Sequence, residues 1–299
     1  MLKSFYVILP SNTPGENNKT NSFTVSLPQK LQFNSNWCVG LSVISYPLTW
    51  PSLGTNEPQA IEIEWQSGDA CSFPIPCLRF TTTLQLEQCI SKALVNPEPI
   101  KKISRKYIEY LRANSHIEKR ISSNLLDEQF SNPNPQTFGE KRYWVEVYKQ
   151  ASKHVIFTFN REEGRFHVLI NKQFVSKILI TEQLSYLLGF PTEISNNSTL
   201  ANYTPDMHGG ISSLFVYAPN LIEPVIIGNT SAPLLRIVSV RGTVDQTSEE
   251  AYISPQYYKV LVKEISEIQI EIRTSTGQLV PFDYGNCTLT LHFKKLPYI

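Results

Sequence analysis

Apolar and polar residues alternate in many short stretches of this chain. In residues 22–27, Phe23, Val25 and Leu27 fall on one face, and serine or threonine falls on the other. A period of two residues is typical of a half-buried antiparallel strand. Alternation, or runs of β-branched and aromatic residues, predicts strands at 3–10, 22–28, 37–46, 61–66, 143–149, 154–160, 165–171, 174–180, 213–217, 234–240, 259–264, 268–274 and 287–294.

Three stretches have apolar residues at helical spacing instead. The first covers 83–95, with Thr82 or Thr83 as a candidate N-cap and prolines just after its end. The second covers 100–130, either as one long helix or as two shorter ones separated at residues 114–115. The third covers 181–190, where Thr181 is predicted to cap the helix and Gly189 to end it.

Many short strands separated by turn signals favour a mostly β fold, a jelly-roll β-sandwich with a helical insertion between strands. We expect one structural domain. Its N-terminal strands occupy residues 1–82, the helical insertion occupies 83–139, and the remaining jelly-roll strands occupy 140–299.

Composition narrows the function class. The 27 basic and 26 acidic residues leave a formal net charge of +1, which disfavours a protein that depends mainly on nucleic-acid phosphates. The five cysteines are odd in number and lack CxxC spacing, so we expect reduced thiols made in a reducing intracellular compartment. We expect no secretion signal and no membrane span, since no apolar run approaches about 18 residues.

The chain shows little catalytic patterning. Its five histidines fall in unlike contexts, and no nucleophile elbow, phosphate-binding loop or metal-ligand spacing occurs. Cys287 opens an alternating strand, where packing is a better interpretation than nucleophilic catalysis. We therefore predict no enzyme activity and no cofactor or metal. A β-sandwich hydrolase is the alternative, and it would require a pocket with clustered titratable groups.

One cluster of basic residues is a candidate contact site for nucleic acid. Lys101, Lys102, Arg105 and Lys106 could contact nucleic-acid phosphates inside a shell without sequence preference. Basic residues three or four positions apart are also common on solvated helix faces, and this interpretation is favoured.

Two proline-bearing apolar segments could lie either in the core or at a subunit contact. One is YPLTWP at 46–51, which contains Trp50. The other, at 221–240, contains Pro224 and two aliphatic runs joined by GNTSA. A soluble monomer rarely exposes that much aliphatic surface, and core burial is the favoured interpretation of the second segment.

Several blocks of the sequence resemble one known family. They are FYVILPSN (5–12), NNKTNSFTVSLPQKLQF (17–33), WCVGLSVISYPLTW (37–50), LSYLLGF (184–190), residues 213–240 and residues 256–293, in that order. They resemble the penton-type minor capsid proteins of Polinton/Maverick elements, adintoviruses and Mavirus-like virophages. Together the blocks cover 112 of the 299 residues. Gly40 and Val43 depart from the Ala and Glu that are common in the family.

The resemblance implies a jelly-roll subunit that closes the five-fold vertices of an icosahedral virion. It implies a homopentamer that works beside a larger major capsid protein with a double jelly roll. Within the last block, Val280, Pro281, Phe282 and Tyr284 could pack against an adjoining copy or against the local core. The alternative function is a receptor- or glycan-binding β-sandwich on a virion surface, with 191–210 and the helical insertion as its working parts.

Overall fold

The structure is a computed structural model, and it describes residues 4–33, 36–54, 57–95, 144 and 146–295. The strands are β1 (Ser4–Pro10), β2 (Ser22–Gln32), β3 (Trp37–Pro47), β4 (Gln59–Trp65), β5 (Ala70–Ile75), β6 (Val155–Asn160), β7 (Arg165–Ile170), β8 (Val175–Ile180), β9 (Glu193–Ile194), β10 (Ser198–Leu200), β11 (Ser213–Tyr217), β12 (Val225–Ile227), β13 (Thr230–Ala232), β14 (Leu234–Ser239), β15 (Thr247–Ala251), β16 (Tyr258–Lys259), β17 (Glu264–Arg273) and β18 (Thr288–Lys295). The helices with assigned bounds are α1 (Thr83–Val95), α2 (Ala151–His154) and α3 (Glu182–Leu188).

The chain divides into two compact units, each described by itself. The first unit combines Met1–Pro51 with Gly210–Ile299, and the second is Ser52–Gly209. The second unit is therefore inserted in the sequence between β3 and β11. The boundaries predicted at residues 82 and 139 stay a prediction, since 96–143 lie outside the described residues.

The first unit contains two antiparallel sheets. One has the order β1-β18-β3-β15, with β16 also paired to β3, and the other has the order β14-β11-β17-β2. When the two-residue strand β16 is left aside, eight strands remain, and of the seven connections between consecutive ones only that from β11 to β14 stays within a sheet. This is the topology of a jelly roll, and it confirms the predicted fold class.

The core of this unit follows the alternation read from the sequence. Phe23 and Val25 of β2 are buried, and Leu289, Leu291 and Phe293 of β18 are fully buried. Burying a side chain of this kind stabilises the fold by about 1.5–3 kcal/mol. Period-two apolar residues on facing sheets thus supply the main driving force for the sandwich.

The second unit has its own core between two further sheets and the helices. The sheets have the orders β5-β4-β8-β9 and β10-β7-β6. Ile61, Ile63 and Trp65 of β4 are buried, as their alternation predicts. Gly164 adopts a φ of 66° in the turn between β6 and β7, which confirms the predicted hairpin.

The short helix α3 begins differently from the prediction. Thr181 occupies the N-cap position, but its side chain makes no capping hydrogen bond to the helix. Its hydroxyl donates instead to Gln59 Oε1 at 2.6 Å, and the same oxygen accepts the Leu184 amide at 3.1 Å. A side chain from β4 therefore satisfies a free amide of the first turn. Gly189 ends the helix at a φ of 79°, as predicted.

Two predicted strands are wrong in type or extent. Residues 146–149 are helical, because Val147, Tyr148 and Ala151 are buried at one-turn spacing and tertiary packing overrides strand propensity. The strand predicted at 259–264 is interrupted at 260–263, where the Leu261 amide donates to the Leu221 carbonyl. The helix predicted at 100–130 lies outside the described residues.

Candidate subunit-contact surfaces

The connection between β17 and β18 holds four of the residues predicted at a contact. Val280 is fully buried in the core of the first unit, and its amide donates to the Ile272 carbonyl at 3.0 Å. The Asn21 side chain donates to the Val280 carbonyl at 2.8 Å. Of the two environments predicted for Val280, an adjoining copy or the local core, the structure therefore places it in the core.

Trp50 lies against the same connection. It is 3% exposed, and its ring packs edge-on against Phe282 with centroids 5.7 Å apart. Pro281 and Phe282 are half-buried. The Thr49 hydroxyl donates to the Tyr284 carbonyl at 2.6 Å, which ties the connection to the segment after β3. The structure thus brings together the predicted residues of the two segments, with Trp50 on the core side.

Tyr284 is the exposed member of this group. Its side chain is 52% exposed, and its hydroxyl donates to Asp245 Oδ1 at 2.9 Å. The next residue, Gly285, has a φ of 90° and lies so close to Pro47 that an added Cβ would come within 2.8 Å of it. The backbone at Tyr284 is therefore held in place while its ring faces outward.

Pro224 belongs to a second surface. It is exposed and directly precedes the β12–β13 hairpin, whose Ile226 is 86% exposed. The hairpin follows the C-terminal end of β11, whereas the connection bearing Tyr284 follows the C-terminal end of β17. Because β11 and β17 are antiparallel, these two connections leave opposite ends of their sheet. The predicted contact residues therefore divide between two surfaces.

A third surface, on the outer face of the first sheet, was missed. Tyr6 and Ile8 of β1 are 62% and 63% exposed. The Tyr6 ring stacks on His292 at 4.5 Å between centroids, and the Tyr257 hydroxyl lies 2.8 Å from His292 Nδ1. Burial, followed by the charge of Lys294, lowers the pKa of His292, which favours the neutral ring. The run FYVIL has apolar residues on both faces of a strand, and this pattern could have predicted an exposed apolar surface on β1.

The basic cluster lies outside the described residues. It consists of Lys101, Lys102, Arg105 and Lys106, and nucleic-acid contact stays a prediction.

Two buried cysteines have thiol pKa values above the ordinary one. Burial raises the pKa of the Cys71 thiol to about 11 and raises that of Cys287 as well, so both thiols are protonated at neutral pH. Among the described residues, no group of three His, Cys, Asp or Glu side chains could hold a metal ion.

A cleft beside α1 in the second unit has a volume of about 950 Å³. Its lining is mainly apolar, and its charged members are Arg79 and Lys92. Among the described residues that line this cleft there is no Asp, Glu or His. In the described part of the chain, no helix has the length and apolar character needed to cross a bilayer.

The comparisons with known proteins give structural neighbours only. No family model and no curated protein matches the sequence. The crystal structure of the mavirus penton protein matches with a TM-score of 0.51 at 8% sequence identity, over 99% of this chain and 100% of that one. A chain of the Sputnik virophage cryo-EM structure matches with a TM-score of 0.48 at 11% identity, over 99% and 98% of the two chains. The first of these matches shows that this chain shares the fold of the mavirus penton protein.

Proposed function

We propose that this chain is a penton-type minor capsid protein that forms the five-fold vertices of an icosahedral virion as a homopentamer. Its role is structural, and it works beside a major capsid protein with a double jelly roll. The observation that carries the proposal is the location of the family-like sequence blocks. Five of the six lie in the first unit and contain strands of both of its sheets.

The family-like blocks and the jelly-roll strands therefore fall on the same residues, and they support the proposal in different ways. The sequence blocks were identified by their residues, whereas the strand order β1-β18-β3-β15 and β14-β11-β17-β2 comes from backbone pairing. The sixth block, at 184–190, falls on α3 and its C-cap in the second unit. The alignment with the mavirus penton protein spans 99% of the chain, so it includes the inserted unit as well.

The surface of the first unit suits repeated contact between copies. Tyr6, Ile8, Ile226 and Tyr284 are each more than half exposed. Tyrosine is enriched among the residues that anchor protein interfaces, and removing exposed apolar surface from water favours association. They lie on different parts of the unit, so a contact between two of these parts would be heterologous, and a heterologous contact that closes makes a ring.

The direct test is incorporation into particles. The chain would be co-expressed with the major capsid protein of the same virus or element, and particles would be purified and imaged by cryo-electron microscopy with five-fold averaging. The proposal predicts density for both units of this chain at the vertices. Particles that close their vertices without this chain, or that carry it elsewhere, would contradict the proposal.

A matched pair of substitutions makes this test specific to the jelly-roll unit. Tyr284→Ala removes a ring that is 52% exposed in the first unit, and Tyr186→Ala removes one that is 60% exposed on α3 in the second. We expect Tyr284→Ala to reduce vertex occupancy while Tyr186→Ala leaves it unchanged. Equal loss with both variants would count against a contact at Tyr284.

A further inference from the structure

The strand β1 forms an edge of the first sheet. Among the described residues it pairs with β18 on one side, and its other side has no strand partner. The Ser11 amide donates to the Cys287 carbonyl at 2.8 Å, just beyond the ladder. Because hydrogen-bonded pairs alternate along an antiparallel ladder, the backbone groups of Ser4, Tyr6 and Ile8 point away from β18.

This edge lacks the charged residues that the other edges of the two four-stranded jelly-roll layers carry. The sequence of β1, SFYVILP, contains no charged residue. The opposite edge strand β15 carries Glu249 and Glu250, while β2 carries Lys30 and β14 carries Arg236 at the edges of the second sheet. Proteins usually place charges on exposed edges to prevent pairing with another chain. An uncharged edge of seven residues is therefore suited to accept a strand.

The β12–β13 hairpin also lacks a neighbouring strand. Its two strands of three residues pair with each other and with no further strand in the described part of the chain. Residues 224–233 contain no charge, and Ile226 is 86% exposed. An isolated two-stranded hairpin is marginally stable in water, and a third strand increases its stability.

The hairpin offers backbone groups for such a strand. Ile227 and Thr230 flank its two-residue turn, so they form a hydrogen-bonded pair, and the next pair, Ile226 and Ser231, does not. The amide and carbonyl of Ile226 consequently point away from β13. They lie on the free side of β12, as those of Tyr6 and Ile8 lie on the free side of β1.

We propose that β12 of one copy pairs with β1 of the neighbouring copy, so that a second copy of this chain occupies the edge. This inference rests on the proposed function, since it names the contact by which copies associate. Each copy gives a hairpin on one side and accepts one on the other. Ile226 then covers the exposed apolar surface of Ile8, and the repeated heterologous contact closes a ring.

Cross-linking of mixed preparations tests this pairing. In a Cys77→Ser background, which removes an exposed native thiol, one preparation carries Ile226→Cys and the other carries Ile8→Cys. A short bismaleimide is added to each preparation alone and to the mixture. We expect cross-linked dimers in the mixture and in neither single preparation. When both cysteines are in one chain, we expect a series of cross-linked species that ends at five chains.

Charge substitutions supply an independent readout in case a cysteine variant fails to fold. Ile226→Lys changes a highly exposed side chain, and Ile8→Lys adds a charge to the uncharged edge. Ala251→Lys, on the opposite edge strand of the same sheet, is the control. We expect association to weaken by at least about tenfold with the first two substitutions and to stay unchanged with the control.

The outcomes separate this inference from the proposed function. If the wild-type chain forms rings, but the mixture gives no cross-link and both lysine variants assemble normally, the pairing is overturned and the penton proposal stands. Links between two Ile8→Cys chains or between two Ile226→Cys chains would also overturn it, because they indicate a symmetric contact. If the wild-type chain never associates, alone or in particles, both proposals fail.

Discussion

Gly40 lies directly beneath the backbone of Gln256. A Cβ added at Gly40 would come within 2.4 Å of the Gln256 carbonyl oxygen and 3.0 Å of the Pro255 Cβ. The segment 255–257 can therefore lie flat on the outer face of β3, where it brings the Tyr257 hydroxyl to 2.8 Å from His292 Nδ1.

Gly40→Ala is expected to displace this segment. The added methyl group meets backbone, which cannot move aside as a flexible side chain can, so the free energy of unfolding should fall by about 1–3 kcal/mol. Urea denaturation followed by fluorescence measures the change. Ser42→Ala, on the same strand, is the control, and we expect a smaller effect from it. Unchanged stability of Gly40→Ala would contradict the close packing at Gln256.

The outer-face histidine should make stability depend on pH. The folded state lowers the pKa of His292 below its ordinary value of 6.5, so folding favours the neutral ring. The contribution to stability is then fully present above pH 6.5 and is lost as the pH falls through the lowered folded value. His154 shifts in the same direction, mainly through burial, so it adds to this dependence.

Denaturation of the wild type and of His292→Gln between about pH 7.5 and 5.5 measures this effect. We expect the variant to lose part of the acid-induced decrease, and NMR titration should give His292 a pKa below 6.5. An NMR pKa above that value would contradict the structure.

An aromatic group should dominate the stability of the first unit. Phe293 is fully buried and stacks on Phe5 at 4.9 Å and on Phe33 at 5.5 Å. Phe293→Ala should lower the free energy of unfolding by about 3–5 kcal/mol, because it removes these contacts and leaves a cavity. Phe293→Leu, the conservative control, should lose less. Equal stability of the Ala variant and the wild type, measured by urea denaturation, would place Phe293 outside the core.

The cysteines should differ sharply in reactivity. Burial raises the pKa of the Cys287 thiol, and its side chain is fully buried, whereas Cys77 is exposed. Brief treatment of the native protein with iodoacetamide at neutral pH, followed by peptide mass spectrometry, should find Cys77 modified and Cys287 protected. Both should react in denaturant. Native labelling of Cys287 at the rate of Cys77 would contradict its burial.

Much of the jelly roll could be predicted, because apolar and polar residues alternate along its strands. The pattern in β2 and β18 indicated both the strand and the buried face. What the pattern could not indicate is which sheet a strand joins. The residues of β4 alternate as cleanly as those of β2, yet β4 belongs to the inserted unit, since pairing depends on contacts distant in sequence.

The contact residues were harder to predict for a related reason. Val280 and Tyr284 lie four residues apart in one connection, and one is fully buried while the other is 52% exposed. Irregular backbone has no period that separates core from surface. At residues 146–149 the β-propensity of Val147 and Tyr148 gave the wrong element, because burial beside Ala151 determined the structure.

Native mass spectrometry of the purified chain over a range of concentrations tests the central claim most directly. The account predicts an assembly of five times the 34.0 kDa mass of the chain. A species of 34.0 kDa at every concentration, or a symmetric dimer as the largest assembly, would contradict it.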